Sequence, residues 1–115
     1  LLKDIICVGG PKVNTVSAKY STIVTGPRIE IEGNSVFIRD SFGNTCFLND
    51  WDRHVGIISS GAKTIFSRVY IIAGLDRYGT IGAGKIFSTN MQNVSGRVVV
   101  PFEAITTADS DGNPT

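Results

Sequence analysis

Ile5-Ile6-Cys7-Val8-Gly9-Gly10-Pro11 and Val69-Tyr70-Ile71-Ile72-Ala73-Gly74 decide how this chain is read. Each is a short, almost unbroken apolar run stopped by glycine, the pattern of a strand buried on both faces that ends at a sharp turn. A helix is expected after each. Pro11 suits a first helical turn, and Val13, Val16 and Tyr20 fall on one helical face, so the first helix runs from about Pro11 to Tyr20. Beyond Gly74 the chain passes through Leu75-Asp76-Arg77-Tyr78-Gly79 and enters a second helix from about Thr80 to Asn90. Ile86, Phe87 and Met91 make its apolar stripe, and Gly82, Ala83 and Gly84 would let it approach a sheet closely. Two strand-glycine-helix units favour parallel neighbours, because parallel strands need helical crossovers. The apolar content of the first run suits the centre of the sheet.

Between these units, Arg28-Ile29-Glu30-Ile31-Glu32 and Ser35-Val36-Phe37-Ile38-Arg39 flank Gly33-Asn34, a two-residue turn that accepts positive φ. A β-hairpin with one dry and one wet face follows from the alternation of Ile29 and Ile31 with charged residues. Phe42-Gly43-Asn44-Thr45 reads as a further turn. Val55-Gly56-Ile57-Ile58-Ser59 is another apolar strand, separated from the run at Val69 by Ser60 to Arg68. Gly96-Arg97-Val98-Val99-Val100 is a last strand, stopped by Pro101. The expected fold is α/β or α+β, a mixed sheet of about five to six strands with two packed helices. Residues 1–105 form the domain, and 106–115 form a polar tail or linker, as if the unit were cut from a longer polypeptide.

The chain has 115 residues, 42% of them hydrophobic, which is enough for one core. Eleven basic and ten acidic residues leave a net charge of +1, so no long-range field steers nucleic acid or anionic lipid to it. No apolar run approaches the roughly 18 residues that span a bilayer. Cys7 and Cys46 could form one disulfide, but one lies in an apolar strand and the other after a turn, so free thiols are expected.

Chemistry finds little purchase in these residues. Gly79-Thr80-Ile81-Gly82-Ala83-Gly84 matches neither a dinucleotide fingerprint nor a phosphate-binding loop, and reads as helix packing. His54, the single histidine, could pair with Asp52 and activate Cys46 or a hydroxyl, yet nothing completes a triad, so no catalytic residue is assigned. Two cysteines and one histidine leave a zinc site short, and no metal or cofactor is expected. Asp109-Ser110-Asp111-Gly112-Asn113 resembles the start of a calcium loop but lacks the bidentate glutamate, so a solvated turn is expected. Asn93-Val94-Ser95 fits a glycosylation acceptor in a loop. If the two glycine-ended strands are parallel, their following loops share one carboxyl edge, where open α/β sheets bind ligands. Gly9, Gly10, Asp76, Arg77, Tyr78 and Thr80 are therefore the candidate contact residues. The bland alternative for the second loop is a helix entry capped by Thr80, with Asp76 paired to Arg77 or the helix dipole.

The run Ile5 to Asn14, with its Val-Gly-Gly-Pro-x-x-Asn ending, and the later Val69 to Gly74 followed by Gly79-Thr80, resemble the α/β domain of archaeal S-layer and S-layer-like surface proteins. The likeness covers about half of the chain and leaves out Arg28 to Ala62; the second helix here carries less alanine and charge than is usual in that family. It implies a secreted, cell-surface role without catalysis, through contacts with other protein domains or copies of itself, and makes Asn93 a glycosylation candidate. The alternatives are a small-ligand or carbohydrate-binding module at the carboxyl edge, using Trp51, Tyr70 or Tyr78, and an enzyme fragment.

Overall fold

The computed structural model describes residues 3–10, 14–48, 54–90, 92–94, 97–99 and 103–115, without the side chains of 47–48, 92–94 and 97–99. The first apolar run forms β1 (Ile5–Val8), and α1 (Thr15–Tyr20) follows. Asn14 caps α1 by accepting from the amides of Val16 and Ser17 at 2.9 and 3.1 Å, while its Nδ2 donates to Val8 O at 3.0 Å. One side chain thus ties the helix start to the strand end. Then come β2 (Arg28–Glu32), β3 (Ser35–Arg39), β4 (Thr45–Leu48), β5 (His54–Thr64), β6 (Ser67–Gly74) and α2 (Arg77–Asn90). β7 (Gln92–Val94), β8 (Arg97–Val99) and β9 (Ala104–Ala108) complete the order.

The fold is mixed α/β, with two helices on a four-stranded main sheet ordered β1-β6-β5-β9 and a separate three-stranded antiparallel sheet, β2-β3-β4. Among the described residues β7 and β8 pair only with each other. As the glycine-ended runs imply, β1 and β6 are parallel neighbours, in register from Ile5 beside Val69 to Val8 beside Ile72. β5 runs antiparallel to both β6 and β9.

Side-chain alternation divides the core in two. On one face Cys7, Val55, Ile57, Val69, Ile71 and Ala73 pack with Val24 and Ile38, which brings the hairpin sheet against the main sheet. On the other, Ile58, Tyr70 and Ile72 pack with Ala83 and Phe87 of α2. Glycine lets α2 lie low. A Cβ on Gly79 would fall 2.6 Å from the Val55 carbonyl carbon, and one on Gly82 would fall 2.6 Å from the Ala108 methyl.

Several expectations are corrected by this arrangement. β1 is an edge strand, and Ile6 and Val8 are 46% and 57% exposed, because α2 covers β5, β6 and β9 and stops short of it. Apolar composition reported burial of one face and could not report the missing neighbour. Around the second glycine cluster, Gly79 and Gly82 make the close approach, whereas Gly84 faces open space. α2 begins at Arg77, three residues before the expected start, since Asp76 supplies the cap. Of the expected apolar face of the first helix, Tyr20 packs against the core, whereas Val16 is exposed and Ser17 is buried, its hydroxyl donating to Gly9 O at 2.7 Å. Val13 and Met91 lie outside the described residues.

The hairpin around Gly33, at φ +61°, forms as expected, and so does the turn at Gly43, at φ +85°. Ser60 to Arg68 is not a separating loop: both strands run through it to a tight turn at Ile65 and Phe66. Gln92–Val94 carries Asn93 in a strand paired to Val98, not in a loop, so the segment around Arg97–Val99 joins this ribbon instead of the main sheet. Residues 106–115 are likewise no trailing linker in this fold. Thr106 to Ala108 complete β9, Thr106 and Ala108 are buried, and the chain turns back so that Thr115 N donates to Thr107 O at 3.0 Å. Cys7 and Cys46 are free thiols, one buried in the main core and the other exposed on the hairpin sheet.

Candidate functional site

The parallel pairing of β1 and β6 brings their carboxyl ends together, and a pocket of about 530 Å³ opens there. Its floor and polar end come from Gly9, Gly10, Gly74, Asp76, Arg77 and Thr80. Aliphatic walls come from Val8 and Leu75 at the sheet, Ile81 on α2, and Ile29, Ile31 and Val36 on the hairpin. Sheet, helix and hairpin thus each contribute a side.

Local sequence explains each wall. Ile29 sits opposite Ile38, and Ile31 opposite Val36, so these four share the hairpin face turned toward the main sheet. Ile38 is completely buried in the core, while Ile31, nearer the Gly33 turn, overhangs the pocket with 44% of its surface exposed. The opposite face carries Arg39, which pairs with Glu30 at 2.7 Å and lies over the Phe37 ring at 4.9 Å. Glycine at 9, 10 and 74 keeps the strand ends bare of side chains, and Gly9 takes φ +109°, a conformation other residues rarely adopt.

Of the candidate contact residues, Gly9, Gly10, Asp76, Arg77 and Thr80 line this pocket. Tyr78 does not line it; its ring packs edge-on against His54, with centroids 4.9 Å apart. Asp76, not Thr80, caps α2, its Oδ1 accepting from Gly79 N at 2.9 Å. Its Oδ2 lies 2.6 Å from His54 Nδ1, so its side-chain partner is His54, not Arg77. The Thr80 hydroxyl turns back to donate to Asp76 O at 3.2 Å. Tyr70, considered as an aromatic wall, is buried against Phe87 under α2 and faces away from the pocket. Trp51 and Asp52 lie outside the described residues.

His54 is the residue whose role the sequence obscured. Its ring stands between Asp76, 22 positions downstream, and Ser110, whose hydroxyl lies 3.5 Å from Nε2. A serine-histidine-aspartate line is the arrangement of nucleophilic hydrolases. Among the described residues, the amides near this serine are already engaged. The amides of Asp111, Gly112 and Asn113, which would be the nearest donors for an oxyanion, are all bonded to Asp109. Ser110 sits on an exposed turn, and the 3.5 Å separation is at the outer limit of a hydrogen bond. The contacts hold the start of β5, the β6–α2 loop and the C-terminal turn together. Thereby His54 positions the loop that leads into Arg77 at the start of α2.

No group of three or more histidine, cysteine, aspartate or glutamate side chains capable of holding a metal occurs among the described residues. No described helix is long and apolar enough to cross a membrane. Comparison of the chain with protein-family models, with curated proteins and with solved structures gives no match.

Proposed function

We propose that this domain is a non-catalytic binding module that takes a small, largely apolar ligand in the pocket at the carboxyl edge of β1 and β6. The observation that carries this reading is the pocket itself, about 530 Å³ with aliphatic walls from three elements and a few convergent polar groups at one end. Small-molecule sites have this size and composition. Among the described residues no tryptophan, tyrosine or phenylalanine lines it, which favours the apolar form of the reading over the carbohydrate form, since sugars are commonly held against an aromatic face. Titration with decanol and with maltose, followed by amide NMR shifts, tests it. Decanol should move Gly9, Gly10, Leu75 and Thr80 together, and Ile31→Lys should abolish the response. Shifts scattered over the surface, or none, would defeat the proposal.

A second reading, a secreted surface-layer or assembly domain acting through other protein domains or copies of itself, is supported by the resemblance of the two glycine-ended strands. It is also favoured by apolar side chains at loop tips: Phe42 and Ile65 are 89% and 90% exposed, and Phe66 is 61% exposed. Self-association in sedimentation velocity that disappears in Ile65→Ser/Phe66→Ser supports it; a concentration-independent monomer opposes it. The two readings are compatible in one molecule, because the β5–β6 turn lies at the end of β6 away from the pocket.

A further inference from the structure

Resting on the pocket reading, we infer that the ligand carries a single negative charge at one end of an apolar body, and that Arg77 selects it. Among the described residues the pocket has two charged lining residues, Asp76 and Arg77, and their availability differs. Both oxygens of Asp76 are engaged, one with His54 and the other with the Gly79 amide. Arg77 makes no ion pair among the described residues. Its guanidinium lies over the Tyr78 ring, 4.7 Å from the centroid, and one Nη2 hydrogen is given to the Tyr78 hydroxyl at 2.6 Å.

Stacking and that single bond orient the guanidinium plane while leaving other N–H groups of the fork to a ligand. A planar fork fixed in this way suits a carboxylate, which accepts two parallel hydrogen bonds. Asp76 limits the charge. It stands beside Arg77 in the same lining, so a polyanion such as a nucleotide triphosphate would place further negative charge against a carboxylate, whereas one charge is matched by one guanidinium. The glycine-rich start of α2 matches no phosphate-binding loop. Away from this end the lining is aliphatic: Ile29, Ile31, Val36 and Ile81 surround the space that the body of the ligand would fill. A medium-chain or branched aliphatic carboxylate therefore meets the chemistry of both ends.

Three probes that share a body and differ in head separate the parts of this inference: decanoate, decanol and decylamine, titrated calorimetrically below their aggregation concentrations. Decanoate should bind about 10-fold or more tighter than decanol, the advantage expected of a hydrogen bond to a charged group. Arg77→Gln should remove that advantage, lowering decanoate affinity about 10-fold or more and decanol affinity by much less. Equal affinity for decanoate and decanol, tightest binding of decylamine, or an Arg77→Gln variant that loses both ligands equally, each overturns the assignment of the head group and leaves the pocket reading standing. Binding of none of the three overturns both. Ile31→Lys should lose all three ligands, and its unchanged circular dichroism and melting would separate loss of the wall from loss of the fold.

Discussion

At the scale of single residues, glycine on α2 carries the most specific information. In an exposed helix interior, Gly→Ala gains up to about 1 kcal/mol. Gly84 meets that description, since a Cβ there touches nothing, and Gly84→Ala should raise the melting temperature. Gly79→Ala should do the reverse, by about 2 kcal/mol or more in urea unfolding, because its methyl would be driven into the Val55 backbone and overpacking outweighs propensity. Thr106 offers a second contrast. Its hydroxyl is buried between β5 and α2 with no hydrogen-bond partner among the described residues, an arrangement that costs about 1–3 kcal/mol. Thr106→Val keeps the shape and removes the unpaired hydroxyl, so equilibrium unfolding should show equal or greater stability; a marked loss would mean that the hydroxyl has a partner.

At the scale of elements, the strands ending at Gly9 and Gly74 were legible because an apolar run followed by a glycine turn is a local signal, and so was the hairpin, where Gly33-Asn34 separates two alternating segments. The edge position of β1 was not legible, since it depends on which strand is absent beside it. β9 was hidden by its own composition: Ala104-Ile105-Thr106-Thr107-Ala108 has two threonines among five residues and runs into a turn-rich stretch that resembles a linker. Its partner, β5, lies about fifty positions earlier, and only that pairing makes the segment a strand. The pocket was half legible. The glycine loops could be found from the strand pattern, but its hairpin wall, Ile29, Ile31 and Val36, required knowing which face of the hairpin meets the sheet. Likewise, the partner of His54 was sought among near neighbours and found across the fold. A chain ending at Ile105 tests the element directly. It would lose most of β9, the Gly82–Ala108 contact and the closure over Thr107, and should fail to unfold cooperatively by circular dichroism.

At the scale of the whole molecule, acid stability follows from two turns at opposite places in the fold. Asp40 accepts from the amides of Asn44 and Phe42, and Asp109 from those of Asn113 and Asp111; these backbone bonds hold both carboxyl groups below the usual carboxylate range. A group whose folded value is lowered contributes stability above its unfolded value, near 3.9, and loses it as the pH falls through the folded value. The melting temperature should therefore drop on acidification below about pH 4. Asp40→Ala/Asp109→Ala should melt lower at neutral pH and show a shallower acid-induced decline. An unchanged acid profile would remove these two turns from the explanation.

The two sheets meet only through side chains: among the described residues no backbone hydrogen bond joins β2, β3 or β4 to the main sheet. The gap that a ligand enters is consequently set by the thickness of Ile29 and Ile38 lying between them, much as a shim sets the opening of a vice. Trimming a methyl group from Ile38, which does not line the pocket, alters the width available to a guest without altering any atom the guest touches, so selectivity for size is written in the interior of this molecule as well as at its rim.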